Sequence, residues 1–186
     1  MPDPDPCRTA PALATARLSL RPHRPADFAA CCALWADPVV TRHIGGRPFS
    51  PEESWAKLLR YAGLWSLLGF GYWAIEDKAT GGFIGELGFA DFKRAIVPSL
   101  DGLPELGWAL ASPAHGKGFA TEAVRAALAW GDGHFGARPT ACLIDPANLP
   151  SLRVAAKCGY RELRRATYKG APTIVLARPP GGIGSA

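Results

Sequence analysis

The 186-residue chain predicts an α/β (α+β) fold: one domain, with a mixed sheet flanked by helices. Three observations carry that expectation. Apolar periods of two and of 3.6 residues alternate along the chain. The strand-like segments in its middle are joined by short turns, which makes much of the sheet antiparallel. The composition, 48% hydrophobic and 20% charged, is ordinary globular material that can outweigh the entropy of ordering. A mainly disordered chain is thereby excluded, and no internal repeat or linker divides the interior.

Each element has its own local reason. Residues 16–21 alternate apolar and polar, a short strand. Residues 25–36 set Phe28, Cys31, Cys32, Leu34 and Trp35 at helical spacing behind Pro25. Ser50-Pro51-Glu52-Glu53 opens a helix, because serine caps, proline suits the first position and the acids face the positive end of the dipole. That helix runs to about residue 67, where glycines stop it. Residues 71–76 and 82–92 read as strands around an Asp77-Lys78-Ala79-Thr80-Gly81 turn. After a looser stretch at 98–104 comes a strand at 105–111, whose Gly107 marks a bulge or a close approach of backbone. A turn at 113–118, an Ala-rich helix at 120–135 and a buried-type strand at 140–144 follow. A helix at 149–157 ends with Gly159 placed for a left-handed cap, and 174–177 is the last strand. Residues 1–12, with four prolines, and 179–186 read as loose ends. The expected organisation is a tail at 1–14, a domain at 15–178 and a tail at 179–186.

Charge and cysteines narrow the class. Residues 1–152 hold 14 Lys/Arg against 15 Asp/Glu, whereas residues 153–186 hold 7 against Glu162 alone. A basic last segment suits a polyanionic partner, a nucleic-acid backbone or a phosphorylated small molecule, or is simply a solvated surface. Nothing interleaves aromatic and basic residues as a single-strand binder does, so no nucleic acid is expected. Five cysteines (Cys7, Cys31, Cys32, Cys142, Cys158) are odd in number and lack metal-pair spacing. The four histidines share no spacing either, so no metal and no disulfide scaffold are expected. The longest apolar run, 62–75, is too short for a bilayer, and the start carries no signal-like segment. A soluble cytoplasmic protein, monomer or homodimer, is the expectation.

The chemistry concentrates at residues 105–124, ELGWALASPAHGKGFATEAV. A strand enters a glycine-rich turn, His115-Gly116-Lys117-Gly118-Phe119-Ala120, and then a helix. The first N–H groups of a helix lack partners and carry its positive end, and small residues let an anion approach them. A P-loop needs Ser or Thr after the lysine, where Gly118 stands. A dinucleotide fingerprint needs glycine at 121, where Thr121 stands, although Asp145 could imitate its ribose-binding acid.

Residues 115–120 resemble the Arg/Gln-x-x-Gly-x-Gly/Ala signature of the GNAT superfamily of N-acetyltransferases. Gly116 to Ala123 is similar to the branch containing the ribosomal-protein N-terminal (alanine/serine) acetyltransferases. So are Asn148-x-x-Ser151 with Gly159-Tyr160, the opening Leu18 to Pro22, and Asp37-Pro38-Val39-Val40-Thr41. The resemblance spans about residues 15–178. It departs from the pattern in His115, which replaces the usual Arg or Gln. It departs again in Ala155, which occupies the position of an often catalytic tyrosine; Tyr160 should be a core aromatic.

The resemblance implies a splayed sheet, acetyl-CoA as cosubstrate, and acetyl transfer to a primary amine, on a protein N-terminus or a small molecule, by direct attack on the thioester. The alternative it leaves is a catalytically weak acyl-CoA sensor of the same fold. It implies that Ala109 and Leu110 hydrogen-bond the pantetheine through their backbone, with Trp108 beside the cofactor and the Leu110 N–H facing the thioester carbonyl. His115, Gly116, Lys117, Gly118, Phe119, Ala120 and Thr121 would form the pyrophosphate loop. Asn148 and Ser151 would contact the pantetheine arm, with Ser151 nearest the sulfur, and Arg153 and Lys157 would face the nucleotide phosphates. An attacking amine must lose a proton, and Glu105, at the head of the strand beside the cofactor, is the expected base. Trp35, His43 and Trp73 are the expected acceptor contacts, and Glu122 is expected to stabilise its helix start.

Overall fold

The computed structural model describes residues 9–181. In chain order it contains β1 (Leu13–Ala14), β2 (Leu18–Arg21), α1 (Phe28–Ala36), α2 (Pro38–Thr41), α3 (Pro51–Leu68), β3 (Tyr72–Asp77), β4 (Gly82–Ala90), β5 (Glu105–Leu110), α4 (Phe119–Phe135), β6 (Thr140–Ile144), α5 (Leu149–Lys157), β7 (Arg161–Tyr168) and β8 (Ala171–Arg178). The eight strands form one sheet in the order β1-β2-β3-β4-β5-β6-β8-β7. Neighbours run antiparallel except β5 and β6, which are parallel because α4 carries the chain over between them. Among the described residues no helix is long and apolar enough to cross a membrane.

Strand parity sorts the sheet into two faces. Leu18, Leu20, Trp73, Ile75, Leu87, Phe89 and Leu106 turn to one side and form the main core with Ala123, Val124, Ala127 and Leu128 of α4. Their neighbours Tyr72, Glu86 and Ala109 turn to the other side, which α1 and α3 cover with Trp35 and Tyr61. The α3 start folds as its sequence dictates: the Glu53 N–H donates to Ser50 Oγ at 3.1 Å and the Ser50 N–H to Glu53 at 2.8 Å. Gly69, at φ +74°, closes it. Far from this helix, the fully buried Arg178 of β8 is held by Asp132 of α4 through bonds of 2.7 and 2.8 Å, tying the β6–β8 flank to the core helix.

The elements depart from expectation at three places. Residues 13–14, assigned to a tail, pair with β2, and the Trp73 indole N–H holds Pro11 O at 2.8 Å. A short helix, α2, forms because Asp37 caps it by accepting the Val39 N–H at 2.7 Å. The last strand begins at residue 171 and has a partner, β7, on its outer side. The first eight residues, Cys7 among them, and the last five lie outside the described residues.

Candidate functional site

β5 and β6 part company almost as soon as they meet. Their ladder is a single bridge, Glu105 opposite Ala141, with the Ala141 N–H donating to Pro104 O at 3.0 Å. Towards its C-terminal end β5 keeps only β4 as neighbour. The Ala111 N–H donates to Ile84 O at 2.9 Å, so alternation along the strand turns the N–H and C=O of Trp108 and Leu110 into the gap. Ala109 faces the other way, opposite Glu86 in the ladder. The expectation that Ala109 lends backbone groups to a pantetheine is therefore corrected: those groups belong to β4, and Ala109 contributes only its methyl to the floor of the cleft described below.

Past β5 the chain makes one 3₁₀ turn, Ser112–Ala114, and enters the glycine loop. Gly116 and Gly118 take φ +74° and +80°, which a β-carbon would strain, and Gly118 caps α4 with no side chain of its own. Among the described residues, no loop carbonyl and no side chain accepts from the N–H groups of residues 116–121. The start of α4 is thus an open cluster of donors. Arg17 stands at its edge: its guanidinium donates to Lys117 O at 2.9 Å, lies over the Phe119 ring and pairs with Glu122 at 2.7 Å. Glu122 also accepts from the Thr15 hydroxyl at 2.6 Å and the Arg17 N–H at 2.9 Å, so it fastens the N-terminal strand to α4. His115 turns back, its Nε2–H donating to Leu110 O at 2.7 Å; it orients the end of β5. The Phe119 ring is buried in the core, which leaves only its backbone at the seat.

A cleft of about 810 Å³ opens along the gap. Its floor holds Tyr72, Glu86, Gly107 and Ala109, one wall holds Trp35, Phe49, Lys57 and Tyr61, and the far wall holds Asp145, Asn148 and Ser151. Glycine at 107 is dictated by space, since a β-carbon there would lie 2.3 Å from the Tyr72 hydroxyl. Glu86 is 1% exposed and accepts from the Tyr61 hydroxyl at 2.6 Å and the Trp35 indole at 3.1 Å. Burial raises its pKa above the ordinary 4.5. The Lys57 ammonium lies 3.9 Å from the centre of the Trp35 ring, and burial brings its pKa down to about 8. A carboxyl pushed up and an amine pushed down, both lining one cleft, mark it as a place for proton-transfer chemistry.

Of the expected site residues, Trp35, His43, Glu105, Trp108, Ala109, Asn148 and Ser151 come together around this cleft. His43 Nδ1 is 2.7 Å from Asp145. Asn148 caps α5 by accepting the Ser151 N–H at 3.2 Å, and among the described residues the Ser151 hydroxyl has no partner. Trp73 does not belong here. Fully buried, it packs against Trp65 and Trp130 beneath α4, and the correction follows from parity: Tyr72, its neighbour, is the residue on the cleft side. Arg153 and Lys157 stand exposed on α5 and do not line the cleft. Glu105 lines it, but Arg94 grips both its oxygens at 2.6 Å. Sequence reasoning missed Glu86, Lys57 and Arg17. Glu86 had one signal, an acid inside an otherwise apolar strand; the other two had none.

His23, Cys31 and Glu86 place a nitrogen, a sulfur and an oxygen within 4.8 Å of one another, the one such group among the described residues. Burial lowers His23 to about 4 and raises Cys31 to about 12, so the imidazole and the thiol are neutral. A cation would first have to deprotonate that thiol.

The family model of the GNAT acetyltransferase domain matches residues 17–161. The chain belongs to the GNAT acetyltransferases. It is similar to a GnaT-family acetyltransferase structure from Bordetella pertussis, 33% identical, covering 91% of this chain and 99% of that one with a TM-score of 0.80. The uncharacterised N-acetyltransferase p20 of Bacillus licheniformis is 28% identical over 151 residues, 81% of this chain and 82% of that protein. In fold alone it resembles the ribosomal-protein-S5-alanine acetyltransferase of Vibrio fischeri, at 18% identity and a TM-score of 0.69, with 95% and 100% of the chains covered. As a GNAT enzyme the chain is an acyltransferase that moves acetyl groups to amines.

Proposed function

We propose that the donors at residues 116–121 and the guanidinium of Arg17 hold the pyrophosphate of acetyl-CoA. Its pantetheine arm then lies in the β5–β6 gap, and the acceptor amine enters over Glu86. When bound, acetyl-CoA supplies the thioester. What supports this reading most is one arrangement along the chain: Glu86 and Trp108 line the cleft, β5 carries on with the Leu110 N–H turned into the same gap, and the open donor cluster stands just past the turn that follows.

The residues then divide the work. Amines arrive protonated, and Glu86 takes the proton, directly or through a water, with the Tyr61 and Trp35 donors fixing its direction. The Leu110 N–H meets the carbonyl oxygen where negative charge gathers, and a preorganised donor of this kind is worth roughly 3–4 kcal/mol. His115 keeps that N–H aimed by holding the Leu110 carbonyl. The Ser151 hydroxyl is placed to donate to the departing sulfur. This mechanism replaces Glu105 by Glu86 as the base and gives Glu105 the task of fixing Arg94.

Calorimetry with acetyl-CoA tests it. Gly118→Asp sets a carboxylate among phosphates and loses binding, whereas Gly118→Asn, equal in size and tolerant of the left-handed backbone, stays at least about tenfold tighter, the order of one charge-assisted contact. Equal affinities for the two variants, or no binding by the parent chain, defeat the proposal.

A further inference from the structure

We propose that the acceptor amine carries a carboxylate, which is held at the end of the cleft formed by Arg60 and Lys169. The inference rests on the acetyl-transfer reading above and names the substrate class for it.

Three elements converge at that end: α3, the segment after β4, and the β7–β8 turn. They interleave cations with rings. The Arg60 guanidinium lies 5.2 Å from the centre of the Phe92 ring, that of Arg94 lies 4.7 Å from Phe92 and 4.9 Å from Tyr168, and the Lys169 ammonium lies 5.6 Å from Tyr168. All five side chains line the cleft. The rings keep the cations apart and supply flat apolar walls between them.

Pairing decides what such a wall is for. Each carboxylate of the cleft already has its partners: Glu86 has Tyr61, Trp35 and the nearby Lys57, Glu105 has both arms of Arg94, and Asp145 has His43 and the Ala147 N–H. Arg60 and Lys169 are exposed, and neither makes an ion pair among the described residues. A substrate with a second ammonium would find every acid engaged and two like charges facing it. A substrate with a carboxylate would complete an arrangement that lacks only an anion. Two further cations of the cleft also lack an ion pair among the described residues: Lys57 lies over the Trp35 ring, and Arg42 precedes His43 of the His43–Asp145 wall, so both are left to other contacts. The carboxylate can belong to a free amino acid or to the side chain that follows the N-terminal residue of an acidic peptide.

Thiol release from acetyl-CoA, followed with matched acceptors, tests the proposal. The panel pairs free amino acids with their amides, adds N-terminal dipeptides whose second residue is Asp or Asn, and includes a polyamine. The proposal expects acids to exceed their neutral partners by about tenfold or more in kcat/KM, the order of a charge-assisted contact, with the polyamine poorest. The better of the two acid arms names the source. In the double variant Arg60→Gln, Lys169→Gln the preference falls to near unity, while calorimetric affinity for acetyl-CoA stays as it was. Amides or the polyamine matching the acids, a preference that survives the double variant, or a double variant that weakens acetyl-CoA instead would each overturn it. So would a chain that binds acetyl-CoA and acetylates none of the panel. A chain that fails to bind acetyl-CoA at all strikes the underlying reading.

Discussion

The two faces of the sheet are made by the same strands and serve opposite ends. Towards α4, Trp73, Ile75, Leu87 and Phe89 are all at 0% exposure within the main apolar core, and the Trp73 indole donates to a backbone carbonyl. Towards α1 and α3, the residues between them are Tyr72, Glu86, Gly88 and, across the ladder, Glu105 and Gly107. One face is a buried apolar core and keeps the fold. The other trades apolar packing for hydroxyls, carboxylates and glycines, and encloses the cleft. Because the side-chain period of a strand is two, a single step along β3, from Trp73 to Tyr72, passes from stability to chemistry.

That division can be broken from either side. Trp73→Ala should have the largest effect, about 3–5 kcal/mol of lost stability from the cavity it leaves, read as a shifted denaturant midpoint; a small loss with altered acceptor KM would mean that Trp73 belongs to the cleft after all. Glu86→Gln should leave the chain folded and acetyl-CoA binding intact, and lower turnover by roughly a hundredfold or more. Its stability carries a sign as well. Burial raises the Glu86 pKa above 4.5, so the native state keeps its proton longer than the unfolded chain. The resulting stabilisation is complete below about pH 4.5 and fades as pH climbs through the folded value, so the glutamine variant should gain on the parent as pH rises. Glu105→Gln should be the mildest, costing roughly 1–3 kcal/mol from the uncompensated Arg94 and leaving the pH profile of turnover in place. A flattened profile there would return the base to Glu105.

Most of the frame was legible in local patterns. The Ser50–Glu53 opening, the glycine loop and the left-handed Gly159 after α5 each act within a few residues of chain, so their geometry is written where they stand. What escaped depends on contacts across the fold. In Tyr72-Trp73-Ala74-Ile75 every residue is apolar enough to be buried, and no local signal says which face is which. Glu86 and Glu105 look alike as strand acids; that one is gripped by a guanidinium and the other by a phenol and an indole is decided by Arg94, Tyr61 and Trp35 from distant segments. β7, reading Arg-Glu-Leu-Arg-Arg-Ala-Thr-Tyr, shows no alternation because an edge strand exposed over most of its length needs none. Of the basic surplus in the last residues, Lys169 reaches the cleft only through the β7–β8 turn, a placement no local pattern encodes.

The lone rung between Glu105 and Ala141 leaves the sheet as two plates clasped at one end. A molecule that bonded the gap-facing backbone of Trp108 and the Leu110 N–H would stand in for the strand that is absent there, and through mass action would knit the plates together. On the proposed seating of acetyl-CoA, the toughness of this enzyme is set partly by its surroundings: bound thioester spans the seam, and without it the sheet stays unzipped through its middle.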